Sequence, residues 1–193
     1  MTTPRGTVLL FDDPECAADR ATVLRDLWPV RTCYDLETAV ESLDDDVTAA
    51  LVGEVPADDR QEFLERAAGT RPTLQVGVVG ADAPPEADGT IAPDAADAVL
   101  QHGVARLLRR AHVATGVREH YQLAAEYVSQ RDDRKAAEMR DRLDGLQAQL
   151  NDIIAGLDSA DAFSLVLGDD DTDGVPDPAD LEERSAAESD AEE

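Results

Sequence analysis

Lysine is almost missing from this chain: Lys135 is the only one in 193 residues. Arginine carries nearly all the positive charge. Lys plus Arg number 17 against 43 Asp plus Glu, a formal net charge of −26. Phosphate contacts need clustered cations, so this balance points away from direct nucleic-acid binding. Cysteine is scarce: Cys16 and Cys33 belong to no CxxC motif, and the sequence shows no signal peptide. Both are expected to be free thiols in a reducing cytoplasm. No apolar run approaches the roughly 20 residues of a membrane span, so no membrane association is expected. The three histidines, His102, His112 and His120, lack partners at ligand spacing, which argues against zinc. There is no nucleophile–base pair and no phosphate-cradling glycine loop, so the chain does not read as an enzyme.

What is abundant is acid, and it is spread along the whole chain. Acidic excess, scarce lysine and 4% aromatics together suggest a protein kept soluble in concentrated salt, where screening removes the self-repulsion of its carboxylates.

The N-terminal half alternates short apolar runs with helical patterns. Strands are predicted at Thr7 to Phe11, Val30 to Tyr34, Thr48 to Val55 and Leu74 to Val79, with a short fifth at Thr90 and Ile91. Helices are predicted over Glu15 to Leu27, from an Asp35 N-cap through Leu43, over Asp58 to Ala68, and over Asp94 to Arg110. This alternation implies an α/β fold, a parallel sheet with helices on both faces. Functional groups in such sheets gather outside the carboxyl ends of the strands. Asp12 and Asp13 stand there, directly after the first apolar run. They could hold a hard cation such as Mg²⁺; equally, they could be strand-end caps before Pro14.

From Arg118 to Leu157 forty residues contain no proline. Ala136, Met139, Leu143, Leu146, Leu150, Ile153 and Leu157 step by three and four, a heptad seam. A stripe this narrow must bury against another helix, either in a hairpin or coiled coil within the chain or in a homodimer. Tyr121, Ala124 or Ala125, and Val128 are out of register with it, and the polar stretch Gln130 to Arg134 lies at the mismatch. Two helical segments are therefore expected. Arg106, Arg109, Arg110 and Arg118 form the one locally basic cluster, read either as a contact for DNA phosphates or an acidic partner, or as intramolecular pairing with acidic helices or charges near a helix end at Gly116. The acidic tail, 168–193, has the composition of a disordered segment. Within it Asp169, Asp171, Asp173, Asp177 and Asp180, with Gly174, match the spacing of a calcium loop. Pro176 and the short final ligand depart from that pattern.

Taken in order, these motifs resemble a response-regulator receiver domain followed by a HalX domain. Val8 to Asp13 (VLLFDD) is similar to the first strand and acidic pair of receivers. Leu107 to Ala111 (LLRRA), then Arg118 to Ala124 (REHYQLA) and the Leu143 to Leu157 coil, resemble the receiver–HalX junction and the HalX helices, and Asp161 to Leu167 (DAFSLVL) resembles the short apolar end of HalX. The resemblance implies a receiver-like (flavodoxin-like) domain over 1–111, a HalX-like helical domain over 112–167 and the acidic tail.

It also implies an acceptor aspartate four residues before a proline; counting back from Pro56 gives Val52, and the nearest acid is Glu54. The hydroxyl expected after the fourth strand is Gly80, and the expected Lys-Pro pair reads Ala92-Pro93. The helix between the fourth and fifth strands is expected to be lost, since only Ala81 to Gly89 separates them. Phosphoryl transfer needs a nucleophile, a metal and a neutralising cation together. The expectation is a signal-transduction protein that has lost its phosphoacceptor. It would act through protein contacts made by its helical extension, with a role in transcriptional regulation through a partner. Phosphorylation at a non-standard acceptor and a calcium-responsive tail are the alternatives.

Overall fold

A computed structural model describes residues 3–80, 84–129 and 133–155. The chain runs β1 (Thr7–Phe11), α1 (Pro14–Arg25), β2 (Val30–Cys33), α2 (Leu36–Glu41), β3 (Val47–Val52), α3 (Ala57–Thr70), β4 (Gln75–Val79), β5 (Gly89–Ile91), α4 (Asp97–Ser129) and α5 (Asp133–Ala155). All strand pairs are parallel, and their order is β2-β1-β3-β4-β5. That is the flavodoxin-like order shared by receivers, with its switch point between β1 and β3. The fold class is therefore α/β, receiver-like, with a C-terminal helical hairpin.

Alternation along the strands makes two apolar layers. Leu9, Phe11, Ala50, Val52, Val76 and Val78 pack with Ala39 of α2 and with Phe63, Leu64 and Ala67 of α3. Phe11 and Phe63 meet at 5.5 Å between ring centroids. Val8, Leu10, Ala49, Leu51 and Val79 face the other way, against Ala17, Ala21 and Leu24 of α1 and against Leu100, Val104, Leu107 and Leu108 of α4. Gly77 lets α4 lie close to β4, since a Cβ there would stand 2.6 Å from Leu107 Cδ1.

Element types match the sequence reading, and the differences lie at ends. Asp35 caps α2 by accepting from the Thr38 amide at 2.9 Å. That bond and the Thr38 hydroxyl hold the Asp35 carboxyl below its usual range. The third strand stops at Val52 and not at Val55. Gly53 N still bonds Phe11 O at 2.8 Å, but the next amide, of Glu54, is taken by the Asp12 carboxylate. No helix lies between β4 and β5 among the described residues. Asp88 closes that short crossover: its amide donates to Val76 O, and its carboxylate accepts from Val76 N, both at 2.7 Å.

The largest difference is α4. It continues unbroken through Ala111 and Gly116 for 33 residues, so the 111/112 division falls inside a helix and Gly116 is no helix end. Its first half covers the sheet and its second half pairs with α5. Gly116 meets Leu150, and Tyr127 meets Arg140, so the two helices run antiparallel. The seam of Met139, Leu143, Leu146, Leu150 and Ile153 is half-buried in this intrachain hairpin. Residues 130–132 of the expected bend, Leu157, the DAFSLVL stretch and the five tail aspartates lie outside the described residues. No described helix is long and apolar enough to cross a membrane.

The two hairpin glycines differ physically. A Cβ at Gly116 would lie 2.8 Å from Leu150 Cδ2, whereas one at Gly145 would meet nothing. Gly145→Ala is expected to stabilise the chain by about 0.5–1 kcal/mol through helix propensity. Gly116→Ala is expected to gain less or to lose stability, because Leu150 must give way. Thermal melts of the two variants side by side check this.

Candidate functional site

The carboxyl ends of the central strands meet at one corner, and Asp12 is at its centre. It follows β1 directly and is fully buried. A buried carboxylate must be hydrogen-bonded and charge-compensated, and this one is. Its Oδ1 accepts from the amides of Asp13 at 2.9 Å and Glu54 at 2.7 Å. Its Oδ2 accepts from Arg20 Nη1 at 2.5 Å. The other arm of the same guanidinium donates to Glu54 Oε1 at 2.9 Å. One arginine on α1 thus joins the end of β1 to the residue two past the end of β3. The hydrogen bond and charge of Asp12 raise the Arg20 pKa above its ordinary value, despite the opposing effect of burial.

Gly53 completes the corner. A Cβ at this position would stand 2.0 Å from Asp12 Cγ, so no side chain fits there while the carboxylate holds its place. Val52, the expected acceptor position, is fully buried in the apolar layer under α3. Asp13 is spent differently from Asp12: it is exposed, and its Oδ1 accepts from Glu15 N at 2.9 Å as the N-cap of α1.

The arrangement does not fit a hard divalent cation. Such an ion needs free carboxylate oxygens and room for its waters. Of the roughly four lone-pair positions of the Asp12 carboxylate, three are taken by N–H donors. The donor on Oδ2 is itself a cation. Asp13 is turned to helix capping, and no group of three or more metal-ligating side chains stands together among the described residues.

Beside the corner lies a cleft of about 300 Å³. Cys16, Asp19 and Arg20 of α1, Glu54, Val79 and Ile91 at the strand ends, and Ala92, Pro93 and Asp97 line it. Desolvation and the Glu54 carboxylate push the Cys16 thiol up, so it stays protonated at neutral pH. The basic cluster does not form one surface. Arg110 is buried and donates to Asp88 O at 2.8 Å, while Arg118 is exposed on the second half of α4. A second, mostly apolar groove of about 480 Å³ runs between α4 and α5, lined by Gly116, Leu146, Leu150 and Ile153 among others.

Asp12 and Asp13 were legible in the sequence as strand-end acids. Arg20 was not, because its partners are 8 and 34 residues away. The one local sign is an arginine inside a helix whose other inward residues, Ala17, Ala21 and Leu24, are apolar.

No family model matches this chain, and no curated protein matches it. Solved structures do. The BeF3-activated DrrB receiver domain is 17% identical, with 54% of this chain and 97% of that one covered and a TM-score of 0.46. A fusion carrying the yeast Spc42 trimeric coiled coil is 19% identical over 78% of this chain and 99% of that one, with a TM-score of 0.49. Lysine decarboxylase A from Pseudomonas aeruginosa is 16% identical over 63% of this chain and 21% of that one, with a TM-score of 0.43. The fold assignment rests on strand order and packing, not on these likenesses.

Asp12 is expected to be a keystone of stability. Asp12→Ala leaves Arg20 without its buried partner and the Glu54 amide without an acceptor, and should cost about 3–5 kcal/mol. Asp12→Asn keeps an oxygen for the amides and should cost less. Urea unfolding of both variants measures the difference.

Proposed function

We propose that this chain is a signalling protein of the response-regulator type that works without phosphotransfer and acts through protein contacts. The observation that carries the reading is the end of β3. The expected acceptor position holds Val52, inside the apolar layer, and the next residue is Gly53, pressed against Asp12. Neither offers an oxygen to a phosphoryl group. Ala92 stands in the cleft before Pro93, where a cation would be needed to neutralise the transferring oxygens.

The contact surface of this reading is the α4–α5 hairpin. Its apolar seam is only half-buried by intrachain pairing. Tyr121 is 71% exposed on the same extension. The charge of the hairpin supports the same role. Between His112 and Ala155 six basic residues face eight acidic ones, so it is close to neutral in a chain of net charge −26. A partner helix or a second copy approaches it without the repulsion the rest of the chain imposes. The HalX-like character of 112–167 and a role in transcriptional regulation through a partner belong to this reading. So do a cytoplasmic location and adaptation to salt.

Incubation with acetyl phosphate and Mg²⁺ in high salt, followed by intact-mass measurement, tests it. No phosphoryl adduct is expected, and light scattering should give one unchanged molar mass before and after. An adduct would sink the proposal and make Glu54 the first residue to substitute, since it is the one carboxylate side chain at the end of β3.

A further inference from the structure

Buried charge at the strand ends needs a counter-charge, and the chain supplies its own. Asp12 and Glu54 belong to segments 42 residues apart. The Arg20 side chain, 12% exposed, spans both carboxylates with the two nitrogens of one planar fork. A guanidinium is always charged, and its fixed donor geometry suits such a bridge. Its base is rigid, since α1 is seated on the sheet through Ala17, Ala21 and Leu24. The loop after β3 is therefore tied twice: by its backbone, from the Glu54 amide to Asp12, and by its side chain, from Glu54 to Arg20.

We infer that Arg20 is a tethered cation that occupies the corner between Asp12 and Glu54, excludes divalent metal from it, and holds the loop after β3 in a single position. Removing the guanidinium leaves a buried carboxylate beside a second carboxylate, with the cleft of Cys16 and Asp19 open next to them. Those oxygens and that space are what a hard divalent ion takes. The loss of Arg20 thus converts a metal-indifferent fold into a metal-dependent one. The inference is independent of the absence of phosphotransfer: it concerns what holds the corner, whether or not any group accepts phosphate.

The test uses the full chain at constant high ionic strength, so that surface carboxylates are screened. Thermal melts with and without Mg²⁺, and Mn²⁺ titrations read by electron paramagnetic resonance, compare the wild type, Asp12→Asn, Arg20→Ala, and Arg20→Ala combined with Asp12→Asn. The wild-type melting temperature should not respond to Mg²⁺, and its Mn²⁺ binding should not saturate at a single site. Arg20→Ala should melt lower without metal, recover with Mg²⁺, and bind Mn²⁺ at least about tenfold more tightly than the wild type. The added Asp12→Asn should abolish that response. If Arg20→Ala does not fold without metal, refolding in Mg²⁺ should recover it. A saturable wild-type site that Asp12→Asn removes would overturn the inference, and so would an Arg20→Ala chain, folded or not, that ignores divalent cations. The two readings fail separately: a chain that takes no phosphoryl group can still show the saturable wild-type site that overturns this inference, and a phosphoryl adduct away from Glu54 would leave the metal result untouched, whereas an adduct on Glu54 itself would count against both.

Discussion

The ion pair between Asp12 and Arg20 sets the terms for the rest of the α/β domain. A carboxylate with no solvent exposure at the end of a central strand is a large electrostatic liability, and only paired, hydrogen-bonded charge makes it tolerable. Meeting that demand determines several neighbours at once. Gly53 must be glycine, because the carboxylate fills the space a Cβ would take. The third strand must end at Val52, because the next free amide is diverted to Asp12. Helix α1 must present Arg20 toward the strand ends, so its apolar contacts and its one inward charge are set by the same register. What looks from the sequence like an acidic motif is, in the fold, an acid that is already neutralised.

The long helix α4 solves a different problem. The helix between β4 and β5 is absent among the described residues, and the crossover there is short. Asp88 replaces it by closing on Val76, and Arg110 of α4 reaches back to the Asp88 carbonyl. The same helix then leaves the sheet and becomes one arm of the hairpin. Because α4 is continuous, the sheet and the hairpin share one rigid element with no linker between them. Anything that binds the second half of α4 pulls on a helix whose first half is locked under β4 by Leu107 against Gly77.

The sequence shows elements well where apolar residues keep a period, and poorly where one side chain answers a distant one. The central strands β1, β3 and β4 were legible as apolar runs, and the Asp35 cap was legible from its residue type and place. The seam from Met139 to Ile153 was legible as a seam, yet not its partner: period alone does not say whether the facing helix is in the same chain. A helix end near Gly116 was one reading of the basic residues around it, since cations favour a helix C-terminus. In the fold Gly116 is there for Leu150, a contact 34 residues away that no local pattern announces. Arg20 was invisible for the same reason. Its meaning lies in Asp12 and Glu54, and only the parallel packing of β1 beside β3 brings those two together.

A fixed cation and a diffusible one give the same corner different properties. A bound ion comes and goes with its concentration, and a loop that depends on it has at least two states with a ligand to choose between them. A guanidinium on a packed helix is present at unit occupancy, so it makes no differential contact that a ligand could exploit. On the reading proposed here, the loop after β3 has nothing left to sense at this corner. Any responsiveness the protein has must then enter elsewhere. The hairpin is suited to that: its seam is half-covered and its charge nearly balanced, and it is continuous with the helix that braces the sheet. Control of such a molecule would come from what docks on α4 and α5, with the α/β domain serving as the rigid base from which they project.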